Sequence, residues 1–138
     1  MKISRRIFLS CIVCLAVLSG ASGSPAQEVT VVGETPNNIR LTWTVTNNGG
    51  KSISYLEVPI YGVVSHEPPP EGWAVNNFDS LKKGTWIVES KDPPADLRSG
   101  RSLSFSCIIG KEGTPLRRGT VVVGFRDGTR TQVGDVLL

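Results

Sequence analysis

The sequence predicts an all-β chain: a single two-layer sandwich of about seven short strands behind a cleavable leader. Three observations carry this. No helical period of useful length appears after residue 26, whereas apolar and polar residues alternate with period two in several stretches. Those stretches are separated by clusters of Gly, Pro, Asn and Asp. The first 26 residues have a different character from the rest.

That leader comes first in the chain. Lys2, Arg5 and Arg6 precede an apolar run from Ile7 to Leu18, and small residues follow from Ser19 to Ser24. This is the three-part layout of a secretory signal peptide. The apolar run is too short for a membrane-spanning helix, which needs roughly 20 residues. Small residues three and one before the cut allow cleavage before Ser24 or before Gln27. The expected division is residues 1–26 as signal and 27–138 as the folded domain, placed in a periplasm or outside the cell. No membrane span is expected once the signal is cleaved.

The formal charge of +3 belongs to this leader. Three of the 15 basic residues lie in the first six positions and no acidic residue precedes Glu28, so 12 of each sign remain beyond it. A neutral body with scattered charge gives no reason to expect nucleic acid as a partner. Cleavage also removes Cys11 and Cys14, leaving Cys107 with no partner for a disulfide.

The strands follow in order. Glu28–Gly33 is a first strand. Over 38–48, Ile39, Leu41, Trp43 and Val45 alternate with Arg40, Thr42, Thr44 and Thr46. Asn47-Asn48-Gly49-Gly50 ends this strand with residues that tolerate positive φ. Ser52–Ser65 reads as one strand with Leu56, Val58, Ile60 and Val64 on one face and Tyr55, Glu57, Tyr61 and Val63 on the other. Pro59 cannot donate to a ladder, so it marks an edge or a bulge. Gly84–Glu89 gives a short strand with Trp86 and Val88 inward. Over Ser102–Ile109, Leu103, Phe105, Cys107 and Ile109 share the apolar face, which makes Cys107 a buried, inert thiol.

The last two strands form a hairpin around Asp127-Gly128. A two-residue turn would place Gln132 and Arg130 on the apolar face. A three-residue loop, Arg126-Asp127-Gly128, instead pairs Phe125 with Thr129, Val123 with Thr131 and Val121 with Val133. Because one slip flips every side chain, the second register is expected, with Gly128 in the left-handed region.

Two stretches carry a family resemblance. Arg40-Leu-Thr-Trp-Thr-Val-Thr-Asn-Asn-Gly49 resembles an early strand of bacterial exported immunoglobulin-like domains. Leu97-Arg-Ser-Gly-Arg-Ser-Leu-Ser-Phe105 is similar to their later approach to a core strand. Pro70-Glu71-Gly72-Trp73 resembles a loop of some exported surface proteins of this kind. The resemblance spans about residues 38–126. It implies a single immunoglobulin-like β-sandwich of a kind that is usually adhesive, scaffolding or of unknown function, and it supplies no catalytic residues.

The chemistry available is limited. A cupredoxin copper site needs two His and a Cys, usually with a Met. Beyond the signal there is one His, one Cys and no Met. Zinc sites of the Cys/His type lack ligands as well. No Gly-x-Ser-x-Gly elbow accompanies His66, and no phosphate loop or dinucleotide fingerprint occurs. No catalytic residue, metal or cofactor is therefore expected. The aromatics remain. Trp43 and Trp86 fall on apolar faces and read as core. Tyr55, Tyr61 and Trp73, the last placed in a loop after Gly72, are the candidate binding residues. The opposing reading has Trp73 plugging one end of the sandwich.

The leading expectation is an exported, non-enzymatic interaction or structural module with a protein or cell-surface glycan as partner. The first alternative is a carbohydrate-binding module using Tyr55, Tyr61 and Trp73. The second is a hydrolase using loop carboxylates from Glu67, Glu71, Asp92 and Asp96. Exported protein is expected to begin near Ser24 or Gln27. Intact-mass spectrometry that finds Met1 retained on exported protein overturns the leader assignment.

Overall fold

The computed structural model describes residues 28–37, 39–79, 84–109 and 116–138. The expected signal peptide, residues 1–26, lies outside the described residues, as do 38, 80–83 and 110–115. The strands are β1 (Val29–Asn37), β2 (Arg40–Asn47), β3 (Ile53–Ile60), β4 (Val63–His66), β5 (Trp73–Phe78), β6 (Gly84–Ser90), β7 (Ser102–Ile109), β8 (Arg118–Phe125) and β9 (Arg130–Leu137). A 3₁₀ turn covers Pro93–Ala95. The sheets run β1-β2-β7-β4 and β5-β6-β3-β8-β9, with antiparallel pairing throughout. This is the predicted all-β sandwich, with nine strands among the described residues in place of about seven.

Both extra strands have a physical cause. The stretch 52–65 is not one strand. Tyr61-Gly62 breaks it, with Gly62 at φ +64°, and the chain leaves the five-stranded sheet for the edge of the four-stranded one. Leu56, Val58 and Ile60 face inward as the alternation requires. Val63 is also buried, against expectation, because changing sheets resets which parity points inward. The second addition, β5, carries a register shift between Val75 and Asn77. That bulge destroys the period-two signal over a segment that already contains two Asn. Pro59 sits opposite Thr85, beyond the last β3–β8 pair, Glu57 with Val122. The strand is central elsewhere and has one neighbour at the proline.

The hairpin takes the predicted register. Val121 faces Val133 and Val123 faces Thr131, while the Phe125 N–H donates to the Thr129 carbonyl at 2.9 Å. The Gly128 N–H closes the turn on the Phe125 carbonyl at 3.0 Å, with φ +86° at Gly128.

The space between the sheets is filled by Trp43 and Trp86, both 0% exposed, with ring centroids 5.8 Å apart. Phe105, Leu41, Val58, Val88 and Val123 pack around them. Each such side chain contributes about 1.5–3 kcal/mol through removal from water. The Trp43 indole N–H donates to the Leu137 carbonyl at 2.8 Å, which ties the two sheets together near β1 and β9. Cys107 lies in this core, and its burial, with the Glu67 charge adding to it, pushes the thiol well up from its ordinary range.

At the opposite end of β2, Asn47 is 0% exposed. Its amide donates to the carbonyls of Lys51 and Leu97, each at 2.8 Å, and its side-chain oxygen accepts from the Gly49 N–H at 3.0 Å. Its main chain is tied as well, N–H to Arg101 at 3.0 Å and carbonyl from Gly100 at 2.7 Å. Residues 47–50 tolerate positive φ but do not use it. The segment turns because a buried side-chain amide holds the connection in place.

Asn47→Ala is expected to leave the Leu97 carbonyl without this buried donor and to lower stability by about 1–3 kcal/mol. Denaturant unfolding measures this, and a midpoint unchanged from wild type overturns the assignment.

Candidate functional site

The three aromatic candidates occupy three different environments. Trp73 opens β5 and is 3% exposed, so its expected loop placement is corrected. Its indole N–H donates to the Ala95 carbonyl at 2.9 Å, and its ring meets Phe105 edge-on at 5.3 Å between centroids. It closes the sandwich beside the 3₁₀ turn. The local signal, a tryptophan between Gly72 and polar residues, gave no hint of Phe105, more than 30 positions away. Tyr61 lies just past β3, half-buried against the core, with the Arg117 guanidinium 5.0 Å from its ring centroid. Six residues of extended chain separate it from Tyr55, about 20 Å. The structure therefore does not bring the three aromatics into one exposed row.

Tyr55 lies on the outer face of the five-stranded sheet. There Ala74, Glu89, Tyr55, Gly124 and Arg130 stand side by side across the five strands. The next row is Asn77, Ile87, Glu57, Val122 and Gln132. Gly124 explains how the ring lies down: a β-carbon there would meet the Tyr55 β-carbon at 2.8 Å. The Arg130 guanidinium covers the ring at 4.3 Å from its centroid. The phenol donates to Glu57 Oε2 at 2.6 Å, and Asn76 Nδ2 donates to Glu89 Oε2 at 2.9 Å. A hollow of about 170 Å³ opens between Tyr55, Glu89, Thr129 and Arg130.

These neighbours act on the phenol. Partial burial, then the hydrogen bond to Glu57 and its charge, push Tyr55 from its ordinary 10.0 up to about 12, against the opposing charge of Arg130. The arrangement offers a rigid aromatic body, a guanidinium edge and two carboxylates. Arg130, Glu57 and Glu89 were not singled out from the sequence. The hairpin register already implied Gly124 opposite Arg130, but the pairing of β3 with β8 is long-range and has no local signal.

Two of the four loop carboxylates are held by arginines. Asp96 is buried and held by Arg126 from Nε to Oδ2 at 2.8 Å and from the terminal nitrogen to Oδ1 at 2.5 Å. Burial alone would raise its pKa, but the hydrogen bonds from Arg126 and Ser90 and the charges of Arg126 and Arg98 outweigh it and hold it below the usual carboxylate range. A general acid needs the opposite shift. Glu67 is paired with Arg40 at 2.5 Å. Among the described residues, no group of three or more His, Cys, Asp or Glu is arranged to hold a metal. Among them, too, no helix is long and apolar enough to cross a membrane.

No family model and no curated protein matches this chain. Among solved structures it is similar to an uncharacterized protein from Nocardia farcinica whose crystal structure reveals an immunoglobulin-like fold. The likeness covers 74% of this chain and 81% of that one at 16% identity, with a TM-score of 0.60. It shows the fold alone: this chain is an immunoglobulin-like β-sandwich.

Phenolate absorbance tests the Tyr55 environment. In Tyr61→Phe the remaining tyrosine is expected to titrate at about 12, and adding Glu57→Gln is expected to bring the midpoint partway back toward 10.0. Because the folded value lies above the unfolded one, Tyr55 stabilises the fold below pH 10.0, and that contribution disappears as pH rises through about 12. A midpoint near 10.0 in Tyr61→Phe overturns the assignment.

Proposed function

We propose that this chain is an exported, non-enzymatic interaction module that takes a protein partner on the outer face of its five-stranded sheet, around Tyr55. Export is supported by the layout of residues 1–26, and the coarser reading as a binding or structural module by the immunoglobulin-like fold. The observation that carries the choice of face is the Tyr55–Arg130 stack at 4.3 Å, set between Glu57 and Glu89. Tyrosine and arginine are the residue types on which protein interfaces concentrate their binding energy.

The same observation favours a protein over a glycan. A sugar ring stacks on a free, flat aromatic face. Here one face of Tyr55 is taken by Arg130, and Trp73 is interior. The exported protein and its Tyr55→Ala variant, immobilised against the native cell envelope and on a glycan array, test this reading. The expected outcome is a protein captured by wild type, an affinity loss of roughly 30-fold or more in Tyr55→Ala, the level of an interface hot spot, and a blank array. A Tyr55-dependent glycan signal, or capture unchanged in both Tyr55→Ala and Arg130→Ala, overturns it.

A further inference from the structure

At the end of the sandwich pinned by Asn47, two cavities of about 500 and 430 Å³ lie side by side and share Asp96 and Arg98 as their common wall. The first is bordered by Lys51, Arg126 and Asp127, the second by Arg101 and Glu71. The acids here are mostly committed. Asp96 is bound by both donors of Arg126, and Asp127 accepts from the N–H and hydroxyl of Thr129 while pairing with Lys51 at 3.1 Å. Arg98 and Arg101 have no ion pair within 4 Å among the described residues. Glu71 lines the second hollow and Asp92 acts on Arg126, neither in such a pair, so the positive charge of the double trough is local to Arg98 and Arg101.

The backbone that bears these two arginines is fixed. Leu97 pairs with Ile53 in both directions at 3.0 and 2.9 Å, and the Arg101 N–H donates to the Arg98 carbonyl at 3.1 Å. Asn47 accepts from Gly100 at 2.7 Å and donates to the Arg101 carbonyl at 3.0 Å. Arg98 and Arg101 are thus the first and last residues of a closed turn, with Cα atoms less than about 7 Å apart. An extended peptide repeats its same-side residues every 6–7 Å or so. Two acidic side chains separated by one residue match that spacing, and guanidinium groups bind carboxylates through paired hydrogen bonds.

We propose that this trough docks an extended acidic segment of a partner protein, of the pattern acid-x-acid, across Arg98 and Arg101. A peptide is favoured over an acidic polysaccharide because no aromatic side chain lines either cavity, while Pro93, Pro94 and Leu103 offer apolar contact beside the cations. The inference rests on the reading of the chain as a protein-binding module, but it uses a surface other than the Tyr55 face.

The test is NMR titration of the protein at low salt with three probes: acetylated and amidated Glu-Ala-Glu-Ala, the same peptide with Gln for Glu, and trigalacturonate. The Glu peptide is expected to give saturable shifts centred on Arg98 and Arg101. Binding is expected to weaken about tenfold or more in Arg98→Ala and in Arg101→Ala, as befits loss of a charged hydrogen-bonding group. It is also expected to weaken on raising the salt to about 0.15 M. Both arginines are exposed, so the variants should fold, and their unfolding midpoints check this. No saturable shift, equal binding of the Gln peptide, or wild-type affinity in both variants overturns the proposal. Trigalacturonate binding as tightly as the Glu peptide overturns the choice of a peptide. Failure here leaves the Tyr55 face standing, because envelope capture is read separately.

Discussion

A single buried amide organises the end of the molecule where the chemistry collects. Asn47 ends a strand of the four-stranded sheet, yet its side chain bonds to Lys51, which leads into β3, and to Leu97, which follows β6. Both β3 and β6 belong to the other sheet. The amide therefore couples the two layers through hydrogen bonds beside the core residues Ile53 and Leu97. An apolar residue of similar size would remove one of the two donors to the Leu97 carbonyl, leaving only the Ile53 N–H, and would remove the donor to Lys51. Lys51, Arg98 and Arg101 all hang from backbone that this residue fixes.

The two outer faces solve the exposure of polar side chains differently. On the four-stranded sheet, Thr42 bonds Ser106 at 2.8 Å, Thr44 bonds Ser104 at 3.0 Å and Thr46 bonds Ser102 at 2.7 Å. Hydroxyls from neighbouring strands answer one another, as cross-strand pairs do, and the stretch is small and uncharged. The five-stranded sheet instead displays Tyr55, Glu57, Glu89 and Arg130, large groups with directional chemistry. The difference begins with Gly124, whose missing side chain lets the Tyr55 ring rest against the sheet and bring Arg130 down upon it.

What was legible in the sequence is what strict alternation controls. The pairing of Val121 with Val133 followed from period two and from one glycine able to take positive φ. The inward faces of β2 and β7, with Trp43, Phe105 and Cys107 buried, followed from the same rule. Alternation says nothing across a break. The change of sheet at Gly62 and the bulge in β5 each shift parity without changing local composition. From its neighbours Trp73 reads as a loop residue that plugs one end of the sandwich, and the distant Phe105 and Ala95 are what hold it inside. Asn47 was read as a turn former because its role depends on Leu97, 50 residues on.

Charge shows the same division between sum and place. The domain beyond the leader carries 12 charges of each sign, so its total predicts no attraction to anything. The fold then sorts them. Lys51–Asp127, Arg118–Asp135 and Arg40–Glu67 are solvent-exposed or partly exposed pairs that add little to stability. Their larger effect is to remove carboxylates from circulation. Asp96 differs: its side chain is 2% exposed, so Arg126 is the condition on which that carboxylate stays buried and ionised. With Asp96 and Asp127 both satisfied, Arg98 and Arg101 stand together at one end without an ion pair among the described residues. A neutral domain thereby acquires a local cationic stretch, because Asp96 and Asp127 are committed to Arg126 and Lys51 while Arg98 and Arg101 have no ion pair among the described residues.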